Sequence, residues 1–154
     1  MATETFCVVI AEDDEGHATL VRRNLKRAGL MTEPVHVRDG QEALDYLYRR
    51  APWTDRELCE AIVLLLDLNM PRLGGIDVLT RMKNDHDLAK IPVFVLTTTD
   101  DPREIDRCYT IGASACIVKP VEYSAFSDAV HRLAQFLMTA RIPGEIPFPP
   151  RPHG

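Results

Sequence analysis

Short apolar runs and longer amphipathic stretches alternate along this chain. Phe6–Ala11 (FCVVIA) is the first apolar run and predicts a strand. Ala61–Leu66 (AIVLLL) is apolar at every position, as expected of a strand buried on both faces in a parallel sheet covered by helices. Pro92–Thr97 (PVFVLT) and Ala115–Val118 predict two more strands, and Glu33–Val37 a short one. Between them the apolar spacing turns helical. From about Gly16 to Ala28, Leu20, Val21, Leu25 and Ala28 share a stripe, and Gly29 suits the left-handed position after the end. Asp39–Gly40 opens a second helix to about Arg50, and a third runs from about Gly75 to Asn84. Asp101 caps a fourth, with Pro102 in its first turn and Gly112 at its end. The fifth spans about Val121–Met138. Five strands alternating with five helices predict a doubly wound α/β parallel sheet in one domain, residues 1–138. Residues 139–154 hold five of the eleven prolines and form a tail that is neither helix nor central strand.

Composition narrows the classes. The 154 residues suit a single core. The net charge of −5 lacks the basic excess of a nucleic-acid binder and disfavours an anionic membrane surface. With no apolar run near 18 residues and no charged-then-apolar leader, the expected location is cytoplasmic. Cys7, Cys59, Cys108 and Cys116 are not spaced as zinc ligands, and they are expected to be structural thiols.

In doubly wound sheets, ligands sit beyond the carboxyl ends of the strands. There the sequence places Glu12, Asp13 and Asp14 after the first strand, Asp67 after the third, Thr97 at the end of the fourth and Lys119 after the fifth. Clustered carboxylates repel unless a cation joins them. Oxygen ligands alone favour a hard ion, and few carboxylates with retained waters suit Mg²⁺. An aspartate beside such an ion can act as a nucleophile toward phosphorus, a transfer that rests on positioning and charge neutralisation.

The stretches VVIAEDD (8–14), LLLDLNMPRLGG (64–75), PVFVLTT (92–98) and GASACIVKP (112–120) resemble the receiver domains of bacterial two-component response regulators. The resemblance covers about residues 6–138 and implies the flavodoxin-like strand order 2-1-3-4-5. It implies that Asp67 accepts a phosphoryl group from a histidine kinase. Asp13 and Asp67 would then be metal ligands, Glu12 would hold metal-bound water, and the Asn69 carbonyl would complete the Mg²⁺ site. Thr97 would supply the switch hydroxyl, the Thr98 amide would assist, and Lys119 would pair with the phosphate. Lys119–Pro120 would be a cis peptide. The family usually carries Tyr or Phe three residues before the lysine, where this chain has Cys116. The long loop before the third strand, DLNMP, VLTTT and the proline-bearing tail are similar to single-domain regulators of phytochrome-type kinases. The chain ends after its fifth helix and tail, so the implied role is a free receiver without a DNA-binding output domain: a phosphorylation switch or relay, not an enzyme.

Other residues have plainer readings. Asp14 favours the start of the first helix, and His17 reads as a packed edge residue. Gly74–Gly75 is a turn before a helix, because the P-loop spacing is absent. Trp53 covers either its own domain or a partner. A Mg²⁺-dependent phosphatase using an aspartyl-phosphate is the alternative function, but it would need an acid where Asn69 stands. A flavin carrier would meet repulsion at the acidic rim. The tail segment IPGEIPFPP (142–150) places large apolar side chains among prolines and predicts a dimerisation arm in a homodimer.

Overall fold

The computed structural model describes residues 6–57 and 61–140. Five parallel strands are β1 (Cys7–Ala11), β2 (Val35–Val37), β3 (Ile62–Leu66), β4 (Val93–Thr97) and β5 (Ala115–Val118). Their order is β2-β1-β3-β4-β5, the expected doubly wound, flavodoxin-like sheet. Five helices cover it: α1 (Glu15–Ala28), α2 (Gly40–Leu47), α3 (Gly75–Lys83), α4 (Pro102–Ile111) and α5 (Tyr123–Thr139).

Strand alternation splits the core in two. Val9, Ala11, Ile62, Leu64, Leu66, Val93 and Val95 face α2, α3 and α4. Val8, Ile10, Val63, Leu65, Phe94 and Leu96 face α1 and α5. Because every strand runs the same way, Ala11 pairs with Leu66, Leu66 with Val95, and Thr97 with Val118. The residues that follow these positions therefore meet at one rim.

Local chemistry sets the helix ends. The Asp14 carboxylate accepts the His17 amide at 3.0 Å, and Gly29 leaves α1 in the left-handed region at φ 113°. Asp39 caps α2, and Asp101 caps α4 ahead of Pro102. Some boundaries differ from the expectation. β2 starts at Val35, since Pro34 offers no amide to a ladder. α2 stops at Leu47, and Arg49 then takes a positive φ of 57°. α5 starts at Tyr123, leaving Val121 fully exposed.

Trp53 covers its own domain, its ring edge-on to Tyr46 at 5.1 Å between centroids. Cys108 and Cys116 are free thiols as expected, but Cys7 is disulfide-bonded, a pairing that spacing along a chain does not reveal. Cys59 and residues 141–154, where most of the expected dimerisation arm falls, lie outside the described residues. Lys119–Pro120 is trans, the lower-energy isomer for most X–Pro bonds; the cis bond among the described residues is Ala51–Pro52.

Candidate functional site

The rim is assembled by backbone before any side chain acts. The Asp67 amide donates to Ala11 O at 3.0 Å, and the Lys119 amide to Thr97 O at 2.7 Å. Glu12 is held from both sides, its amide on Val37 O at 3.0 Å and its carbonyl on the His36 ring at 2.6 Å. On the far side, α3 begins directly against β3. The Gly75 amide bonds Leu68 O, and a Cβ on Gly75 would lie 2.5 Å from Asp67 O. Gly75 is thus a packing glycine, required by the close approach of helix and strand end.

Glu12, Asp67, Thr97 and Lys119 are buried, whereas Asp13 and Asn69 are exposed. Burying four polar groups at one place costs free energy unless they satisfy each other. Lys119 does much of this. Its Nζ lies 2.6 Å from Glu12 Oε1, 3.9 Å from Asp67 Oδ1 and 3.1 Å from His17 Nδ1. The second Glu12 oxygen accepts the Asp14 amide at 3.2 Å. Asp67 is less well served: the Asn69 amide approaches it at only 3.4 Å. Burial, and next the neighbouring Glu12 charge, push the Asp67 carboxyl up to about 7, with Lys119 opposing them. The Thr97 hydroxyl accepts the Thr99 amide at 3.2 Å, and Thr98 is exposed.

Glu12, Asp13 and Asp67 each present an oxygen, and the three lie within 4.8 Å of one another. A partly open cluster of carboxylate oxygens without His or Cys fits a hard divalent cation. The raised Asp67 carboxyl agrees, because a cation would offset both the burial and the Glu12 charge that raise it. Asp14 serves as the α1 cap and stands apart from this set.

His17 carries more than the sequence reading gave it. Its ring packs edge-on to Phe126 at 5.3 Å, while Nδ1 meets the lysine of the site. The available signal was its place in the first turn of a helix that starts directly after the acidic strand end.

Residues 8–131 match the response regulator receiver domain family, and the chain belongs to it. Among curated relatives, a probable methanogenesis regulatory protein, FilR2 of Methanothrix harundinacea, is 33% identical, aligned over 88% of this chain and 85% of its own. A receiver domain structure from Rhodospirillum rubrum is 42% identical with a TM-score of 0.82, covering 91% of this chain and 99% of that one. The phosphorylated cyanobacterial phytochrome response regulator RcpA is 31% identical with a TM-score of 0.83, covering 90% and 99%. The Mn²⁺-bound response regulator Rcp1, known from Synechocystis, is 27% identical with a TM-score of 0.83, covering 89% and 98%. The chain is thus a receiver-type response regulator of phosphorelay signalling.

Proposed function

We propose that Asp67 is the phosphoacceptor of this receiver and that a histidine kinase, of the phytochrome type, is its donor. The observation that carries this reading is the position of Asp67. It is buried at the end of β3, 3.9 Å from the Lys119 ammonium and with an oxygen within 4.8 Å of oxygens on Glu12 and Asp13. An Asp67 oxygen attacks phosphorus, the phosphorus–nitrogen bond of the donor phosphohistidine breaks, and the imidazole leaves with the electron pair. Lys119 then neutralises a phosphoryl oxygen, and the Thr97 hydroxyl turns from the Thr99 amide to bond another. Asp13, Asp67 and the Asn69 carbonyl would hold Mg²⁺, with Glu12 bonding its water; the ion supplies charge neutralisation on the transferred group. The Mn²⁺-bound Rcp1 structure supports a divalent ion, and the phytochrome regulator RcpA supports the donor class. Among the described residues no helix is long and apolar enough to cross a membrane, and we assign the cytoplasm as the place of action. The role is a signalling switch rather than an enzyme, and the exposed amide of Asn69 stands where an aspartyl-phosphate phosphatase would need its acid.

Replacing Asp67 with Asn removes the nucleophile. Intact-mass measurement after acetyl phosphate should show one phosphoryl addition on the native protein and none on Asp67→Asn. A full addition on the variant rejects the assignment. A transfer screen over the histidine kinases of its source tests the donor, and failure of the phytochrome kinase where another kinase succeeds removes that half of the proposal.

A further inference from the structure

Beyond the acidic rim, the molecule brings two free thiols together. Cys108 lies on the inner face of α4, fully buried, and Cys116 lies on β5, partly open to solvent. Both pack into the same core, close enough that each thiol perturbs the ionisation of the other. The elements that carry them are already fastened around the pair. The Cys116 amide donates to the Tyr109 hydroxyl at 3.0 Å, and the Gly112 and Ala113 amides both bond Cys108 O.

We propose that Cys108 and Cys116 form a thiol-pair modification site, in which a peroxide oxidises Cys116 and Cys108 closes an intramolecular disulfide between α4 and β5. The order follows from access. Solvent reaches Cys116, so its sulfur attacks the peroxide oxygen; the oxygen–oxygen bond breaks, giving a sulfenic acid and one water. The Cys108 sulfur then attacks that sulfenic sulfur, and the hydroxyl leaves as a second water with the Cys108 proton. Two thiols lose two hydrogens and two electrons, and the peroxide gains them.

Burial raises both thiols, Cys108 to about 11, so little thiolate is present at neutral pH and oxidation is slow. The same property makes Cys108 a poor leaving group, so the closed disulfide is slow to reopen. Cys116 pairs with Val95 on β4, two positions before Thr97, so the link would lie one strand from the site residue. This chemistry stands independently of the phosphoacceptor reading.

The test uses the full chain. No tryptic site separates the two cysteines: cleavage falls after Arg107 and Arg132, and Lys119 precedes Pro120. After hydrogen peroxide treatment and alkylation in denaturant, peptide 108–132 should be about 2 Da lighter than its reduced form, unalkylated, and restored by dithiothreitol. Cys108→Ser should instead leave Cys116 as sulfenic or sulfinic acid, or bonded to another molecule, and Cys116→Ser should leave Cys108 fully alkylatable. Two outcomes overturn the proposal. One is full alkylation of both thiols after oxidation. The other is over-oxidation of Cys116 in the native chain with Cys108 still free.

Discussion

Lys119 is bonded to Glu12 at 2.6 Å, while the proposed phosphoacceptor Asp67 stands 3.9 Å from the same ammonium. The resting lysine therefore compensates Glu12 first, and Asp67 only by proximity. Both members of the pair are almost fully buried, at 3% and 5% side-chain exposure, so water cannot replace either one.

Lys119→Ala follows directly. It leaves two buried carboxyls and exposed Asp13 together without an ammonium. Removing one partner of a buried pair costs about 3–5 kcal/mol. In chelator, urea unfolding should show a loss of that size. Added Mg²⁺ should recover part of it, because the cation takes over the compensation. Equal losses with and without Mg²⁺ would separate the lysine from the metal cluster and count against the site as described.

The raised Asp67 carboxyl gives a pH dependence with a definite sign. Its folded value of about 7 exceeds the ordinary 3.8, so the native state holds a proton that the unfolded state has lost. Stability from this group is therefore full below 3.8 and falls as pH rises toward about 7. Asp14, lowered chiefly by the His17 amide, and Asp39, lowered by Arg72 and the Glu42 amide, act in the opposite sense and only at acid pH. In metal-free protein, unfolding free energy should decline between pH 5 and pH 7 more steeply in the native chain than in Asp67→Asn. Parallel profiles would mean that Asp67 is not shifted.

Much of this was readable from residue order. An unbroken apolar run such as Ala61–Leu66 suits a strand buried on both faces of a covered parallel sheet, and such a sheet brings every strand end to one rim. Glu12, Asp13, Asp67, Thr97 and Lys119 all follow from that rule. What escaped depended on distances between elements. The meeting of His17 with Lys119 spans 102 positions, and the packing of Cys108 and Cys116 into one core needs the facing of α4 on β5. Neither has a period or a spacing. Pro34, which offers no amide to a ladder, lay inside the expected strand Glu33–Val37 and was legible as the reason for its later start.

Gly75 tests the join between α3 and β3. Its missing Cβ would meet the Asp67 carbonyl at 2.5 Å and the Leu68 Cα at 2.7 Å, both backbone atoms that cannot rotate away. Gly75→Ala should cost about 1–3 kcal/mol, as overpacking does, and slow phosphoryl uptake by displacing Asp67. Gly74→Ala is the control, since its Cβ would find only Leu68 O at 3.5 Å. Similar kinetics in the two variants would show that the strand end tolerates displacement.

The expected homodimer can be tested from α5. Phe136 is 57% exposed near the end of that helix, the last element before the apolar, proline-bearing segment at 142–150. An exposed aromatic followed by such a segment supports a contact between two copies. In a two-fold dimer one patch meets its own copy, so a single substitution strikes the interface twice. Burying such a ring is worth about 1.5–3 kcal/mol. Phe136→Glu should therefore weaken association by roughly 3–6 kcal/mol across both copies. As a surface change it should alter monomer stability by no more than about 0.5 kcal/mol. Removing residues 141–154 should weaken association in the same direction. Light scattering at micromolar concentration reads both. A dimer mass unchanged by the substitution and by the truncation would place the contact elsewhere, and a monomer mass for the native chain would end the proposal.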